Sequence, residues 1–172
     1  MALLDILTYP DPFLAEPAKP LDRVDASARK LIDRMAETMF AAPGVGLAAN
    51  QVGQDKQIIV YTRPDEEGNI SQSFEALVNP VIVSRSGSLT SKKEGCLSVP
   101  GFKCDVSRSG QVTVDGLDRR GRPVRIKADG MLAVILQHET DHLSGLLFID
   151  RISALKRSFY KKRLKKKARA RA

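Results

Sequence analysis

Near the end of the 172-residue chain stands Gln137-His138-Glu139-Thr140-Asp141-His142. On a helix, residues four apart lie one above the other. His138 and His142 would therefore face the same side and could hold one metal ion, with Glu139 beside them as a candidate base. The flanks predict that helix: Asp129 can cap its start and Gly145 can end it. Met131, Val134, Ile135, His138 and His142 share one face, which puts both imidazoles on the buried side. A histidine on an apolar face is more often a satisfied core residue than a ligand. This chain, however, has only two histidines and both lie in the pattern, so metal binding is the stronger reading.

A catalytic zinc-type site takes three protein ligands and leaves a position for water. The longer pattern H-E-x-x-H-x-x-G-x-x-H fails because Phe148 replaces its last histidine. A thermolysin-like carboxylate is also missing, since Asp150 is the only acidic residue after His142 and follows it closely. The third ligand must come from upstream, and Cys96 and Cys104 are the candidates; a thiolate with two imidazoles suits zinc or ferrous iron. Glu94-Gly95-Cys96-Leu97-Ser98-Val99-Pro100-Gly101 reads as a constrained loop between strands. That setting favours Cys96, whereas Cys104 reads as inert packing.

Further upstream, Asp5 to Pro20 holds four prolines and predicts an extended, turn-rich arm. A helix follows, capped by Asp25, with Ala28, Leu31, Ile32, Met35 and Met39 at helical spacing and Pro43-Gly44 as its stop. Gly44-Val45-Gly46-Leu47-Ala48-Ala49-Asn50-Gln51 is not a phosphate loop, because Ala49 stands where the last glycine would be and no strand precedes it. Its small residues permit close approach of a ligand backbone, so it can form one wall of a cleft. Gln51 reads equally as a structural amide or as a donor to substrate. Strands are expected at residues 57 to 61, at 77 to 84 with Pro80 marking a strand start or an edge, at 111 to 114 and at 124 to 127. Helix, strands, then metal helix gives an α+β fold class.

Two cysteines in a chain of this size make no disulfide framework, the first residues lack the pattern of a signal peptide, and no apolar run could span a membrane. A reducing cytoplasm is the expected setting, and it would keep a cysteine ligand reduced. The net charge of +8 is uneven. Residues 156 to 172 hold ten Lys or Arg and no acid; removing those ten from the 28 basic residues leaves 18 against 20 acidic ones. The expectation is a catalytic body over residues 1 to 155 and a basic helix or tail over 156 to 172, either an extension of that domain or part of it. Only the tail points to a polyanionic partner.

Gly-Val-Gly-Leu-Ala-Ala-Asn-Gln (44 to 51), Glu-Gly-Cys-Leu-Ser (94 to 98) and Gln-His-Glu-Thr-Asp-His-Leu (137 to 143) together resemble the three signature motifs of the peptide deformylase family, in order. The resemblance runs over nearly the whole chain. It implies a metal-dependent hydrolase that removes the formyl group from the formylmethionine of nascent polypeptides and releases formate. It implies antiparallel or mixed sheets around a central metal-binding helix, with Cys96, His138 and His142 as ligands and Glu139 as general acid/base. Gln51 and the Leu97 N–H would be oxyanion donors, and Gly46 part of the substrate-lining segment. One divalent metal is implied, Fe²⁺ in the cell, with Zn²⁺, Ni²⁺ or Co²⁺ as alternatives on isolation. Val45, Val134 and Ile135 are candidates for an apolar pocket that takes the methionine side chain. Lys103 stands where many members carry an arginine, and a lysine cannot reproduce a bidentate fork.

Leu155, Phe159, Leu164 and the surrounding Lys and Arg residues are expected to form a basic helix. In this family such a helix is associated with docking on the ribosome, so the basic residues of 156 to 172 are expected to contact rRNA, the alternative being a solvated, solubilising tail. Neither DNA nor a membrane is expected as partner. Two rival readings remain. A metal-dependent endopeptidase would explain the histidine pair but not the missing downstream ligand. An RNA-binding module with a structural metal would need a fourth protein ligand, for which Cys104 is the candidate.

Overall fold

The computed structural model describes residues 2–171. Met1 and Ala172, the ends of the expected body and tail, lie outside them. In chain order the elements are α1 (Ala26–Ala41), β1 (Gly46–Ala48), β2 (Ile58–Tyr61), β3 (Glu75–Ser86), β4 (Leu89–Cys96), β5 (Val99–Arg108), β6 (Gln111–Leu117), β7 (Pro123–Asp129), α2 (Gly130–Leu143) and α3 (Ala154–Arg171). Five strands form one sheet in the order β1-β2-β3-β6-β7, and β4 pairs with β5. Every pairing is antiparallel.

Strand β2 shows why the sheet is central. Side chains alternate between faces along a strand, yet all four residues of Ile58-Ile59-Val60-Tyr61 are buried. Ile58 and Val60 pack with Leu31, Ile32, Met35 and Met39 of α1, while Ile59 and Tyr61 join Ala133, Ile135 and Leu136 of α2 on the other face. The Asp25 carboxylate starts α1 by accepting from the Ala28 N–H at 2.8 Å, an N-cap that satisfies an otherwise orphan donor. On the far side of α2, Val99 and Val106 of β5 pack with Leu147, Phe148, Ile149 and Tyr160. Helix α2 thus lies between the large sheet and the β4–β5 hairpin, and nine of its fourteen residues are buried. None of the described helices is long and apolar enough to cross a membrane.

Several local expectations need correction. Residues 94 to 101 are not a loop: they belong to β4 and β5 except for the turn at Leu97 and Ser98. The antiparallel pairing of Cys96 with Val99 accounts for this. Pro80 neither starts a strand nor sits on a free edge; it lies inside β3 where the register to β6 shifts between Val78 and Val81, a bulge that removes the need for its missing N–H. The arm contains a short 3-10 turn at Pro12–Ala15. Met131, on the expected apolar face of α2, is 44% exposed.

At the bulge, Asn79 adopts φ +53°. Its Nδ2 donates to the Leu21 carbonyl and its Oδ1 accepts from the Leu21 N–H, each at 2.8 Å, pinning the arm to the sheet. With two partly buried hydrogen bonds worth about 1 kcal/mol each and a left-handed backbone to bear, Asn79→Ala is expected to lower urea stability by about 2–3 kcal/mol. Asn79→Gly should recover the backbone part of that loss; equal losses for both variants would mean that the hydrogen bonds carry all of it.

Candidate metal centre and active-site cleft

Cys96 closes β4, and His138 and His142 project from adjacent turns of α2. Their ligand atoms all lie within 4.8 Å of one another. Cys96 Sγ is 3.3 Å from His142 Nε2, and the two Nε2 atoms are 3.2 Å apart. His138 Nδ1 is 2.6 Å from Glu94 Oε1; a carboxylate only accepts, so Nδ1 carries the proton and the Nε2 lone pair faces the cluster. With metal–nitrogen and metal–sulfur bonds of about 2.0–2.1 and 2.3 Å, tetrahedral ligand atoms sit roughly 3.3–3.6 Å apart. The donor set and its spacing therefore fit one divalent ion. Cys104 is a half-buried free cysteine outside the group, which removes the fourth ligand required by a structural metal site.

The histidines are held through groups that the sequence reading did not single out. Arg108, at the end of β5, is 6% exposed. It donates to Glu94 through Nε and Nη2, and to Asp141 Oδ2 at 2.7 Å through Nη1. Arg151 adds bonds to both oxygens of Asp141, at 3.1 and 2.7 Å. Burial pushes the Glu94 carboxyl up, but His138 and Arg108 outweigh it and hold its pKa down at about 2. Gln137 ties α2 to Ser109, accepting from its N–H at 3.0 Å and donating to its carbonyl at 2.9 Å. Glu94, inside the Glu-Gly-Cys-Leu-Ser segment two residues before Cys96, was the one hint in the sequence; nothing local marks Arg108.

Glu139 is 4% exposed, and burial pushes its pKa up to about 7. It packs against Gly46: a Cβ at that position would lie 2.5 Å from Glu139 Oε1. Gln51 Oε1 accepts from the Ala48 N–H at 2.9 Å, which fixes the amide. Its Nε2 donates to Ser98 Oγ at 3.0 Å and lies 3.6 Å from Cys96 Sγ, so one N–H is directed at the ligand cluster. Leu97 begins the hairpin turn and touches the position a Gly44 side chain would need. Lys103 lays its stem over Gly95.

These residues line one cleft of about 790 Å³, bounded by Val45, Gly46, Gln51, Cys96, Leu97, Lys103, Val134, Ile135, His138 and Glu139. Of the sequence-predicted site residues only His142 is not at its wall; it is fully buried behind it. Met131 also lines the cleft, which accounts for its exposure.

A cysteine and two histidines spaced to suit one metal, with a buried carboxylate lining the same largely apolar cleft, are the arrangement of a metal-dependent hydrolase. The family model described as Polypeptide deformylase matches residues 3–158. The peptide deformylase of Syntrophobacter fumaroxidans is 49% identical over 169 residues, covering 97% of this chain and 96% of the relative. That of Desulfosudis oleivorans is 46% identical over 167 residues, covering 97% and 95%. Among solved structures, a peptide deformylase from Legionella pneumophila superimposes with a TM-score of 0.87 at 44% identity, covering 99% of this chain and 98% of the other. One from Ehrlichia chaffeensis, in complex with actinonin, gives 0.89 at 44% identity and covers 97% and 98%. The chain belongs to the polypeptide deformylase family, metal-dependent hydrolases that take the N-formyl group from the formylmethionine of nascent polypeptides.

Because the Gly46 hydrogen faces the Glu139 carboxylate, Gly46→Ala is expected to fold while displacing that side chain. Formate release should fall by about 10²-fold or more, the scale of losing a positioned acid–base group. A thermal melt run beside the assay separates this from unfolding; unchanged turnover would show that Glu139 has room to move.

Proposed function

We propose that Cys96, His138 and His142 hold one catalytic divalent cation, Fe²⁺ in the cell, and that Glu139 is the acid–base group of deformylation. The observation that carries this reading is the convergence of three metal-donor atoms within 4.8 Å beside a buried carboxylate. When bound, the cation supplies Lewis acidity and a water acidic enough to attack near neutral pH.

The protein supplies the rest. Glu139 takes up the proton of the attacking water and delivers it to the departing amine. Its near-neutral pKa, raised by burial, matches it to both transfers. The Gln51 amide, held by Ala48 and Ser98, and the Leu97 N–H meet the negative charge that grows on the formyl oxygen; such preorganised donors lose little on reorganisation. Gly46 leaves space for the substrate beside Glu139. Val45, Val134 and Ile135, joined by Met131, receive the methionine side chain. Lys103 meets the peptide backbone as a point charge, without an arginine's paired geometry.

Residues 156–172 are proposed to contact rRNA while belonging to the same domain as residues 1–155. Tyr160 is buried against the body, and Leu155 and Phe159 are 68% and 58% exposed. A reducing cytoplasm is the proposed setting, where a thiolate ligand persists.

Formate release from formyl-Met-Ala-Ser by anaerobic, Fe²⁺-loaded protein is expected to fall about 10²–10⁴-fold in Glu139→Ala and to vanish with metal occupancy in Cys96→Ser. Cleavage of an unformylated peptide without formate would instead favour the endopeptidase reading. Actinonin, bound by the Ehrlichia chaffeensis relative, should compete with the formyl peptide. Deleting residues 156–172 should remove a salt-sensitive share of ribosome binding, measured by co-sedimentation; unchanged binding would reject the tail as the contact.

A further inference from the structure

Asn50 precedes Gln51 in the segment that lines the cleft, yet nothing in the reaction uses it. It is 1% exposed. Its Nδ2 donates to the main-chain carbonyl of His142, and this fixes the amide orientation, since a carbonyl could not accept from Oδ1. Oδ1 is left buried without a protein partner, and so is His142 Nδ1. The two orphans are complementary. A histidine that offers Nε2 to a metal carries its proton on Nδ1 and needs an acceptor there, while Asn50 Oδ1 is an acceptor lacking a donor. They belong to residues already joined by a hydrogen bond.

Five buried side-chain atoms lack a partner among the described residues: Asn50 Oδ1, Thr62 Oγ1, Glu139 Oε2, His142 Nδ1 and Tyr160 Oη. Glu139 points to Gly46, at the cleft. Only Asn50 already contacts His142 by an assigned bond. Leaving both atoms unpaired would cost far more than immobilising one water between them.

We infer that Asn50 is a positioning residue for the second imidazole: the His142 Nδ1–H donates to one buried water, which donates to Asn50 Oδ1, while Asn50 Nδ2 holds the last turn of α2. The pairing mirrors Glu94 on His138 with a neutral group in place of a carboxylate, so one metal ligand is backed by an anion and the other by an amide. The inference rests on the proposed role of His142 as a ligand.

The test uses zinc-loaded full-length protein, with zinc affinity measured by chelator competition and ring tautomers by long-range ¹H–¹⁵N NMR. Wild type should show both histidines bound through Nε2 and a slowly exchanging His142 Nδ1–H in contact with a long-lived water. Asn50→Ala should weaken zinc binding about 10–100-fold, the range typical of lost outer-shell partners, and should speed exchange of that Nδ1–H. Asn50→Asp keeps an acceptor but not the donor. It should recover most of the zinc affinity while sharing the loss of apo-protein stability, a split that a merely structural role would not produce. Equal zinc affinities for Asn50→Ala and wild type, or equal losses in the two variants, would overturn the inference; the wild-type spectrum alone overturns it if His142 binds through Nδ1. If wild type binds no zinc at the histidines, the ligand assignment itself fails, and that result is distinct from the others.

Discussion

One guanidinium joins the two halves of this enzyme. Arg108 ends β5, yet its donors reach Glu94 on β4 and Asp141 on α2, so hairpin and helix meet on a single buried charge. Taking an arginine out of water costs several kcal/mol, which only full pairing offsets. Two carboxylates and five N–H donors nearly achieve that here, and Arg151 neutralises the remaining face of Asp141. The arrangement is not chosen for stability alone, since an apolar replacement of such a cluster is often no worse. What it adds is register: Glu94 must sit where Arg108 holds it, and His138 must turn its Nδ1 to Glu94. Cys96, two residues beyond Glu94, is then fixed relative to the helix.

The electrostatics of the cleft follow from this frame. Arg108 lowers the charge cost of Glu94 and keeps it ionised, while Glu139, one residue from His138, has no hydrogen-bond partner for Oε2. Two carboxylates beside His138, one bonded to its ring and the other its chain neighbour, thus lie at opposite ends of their range, near 2 and near 7. The low one is a fixed anion that orients His138; the high one is the carboxylate proposed to carry the proton. Gly46 completes the difference, because no larger residue could stand beside the Glu139 carboxylate without moving it.

The metal helix, the fold class and the cleft-lining residues were legible in sequence because they depend on local period and on chemically unusual side chains. The same reading failed where the cause was long-range. Glu94 to Gly101 looks like a loop from its glycines and proline, yet ladder pairing between Cys96 and Val99 makes it a hairpin. Pro80 looks like a boundary, yet a bulge opposite Gly116 accommodates it within β3. Arg108 and Asp141 look like ordinary surface charges until the fold buries both. Inside the H-E-x-x-H pattern, Asp141 occupies a position that the pattern leaves open, and its carboxylate ties the helix to Arg108 and Arg151.

The C-terminal helix shows how a strongly basic segment can be attached without being absorbed. Among its residues in 154–171 only Tyr160 is buried. Its ring lies 4.8 Å from that of Phe102, which stacks at 6.0 Å on Phe148, itself 6.3 Å from the His138 ring. A chain of aromatic contacts therefore connects the helix to His138, while its Lys and Arg residues other than the half-buried Arg157 are exposed on the remaining faces. Packing of this kind is short-ranged and insensitive to salt, whereas phosphate contact is governed by counterion release. One helix can hence be seated by the first and offered to a polyanion by the second, so high salt should loosen an rRNA contact without undocking the helix from the catalytic body.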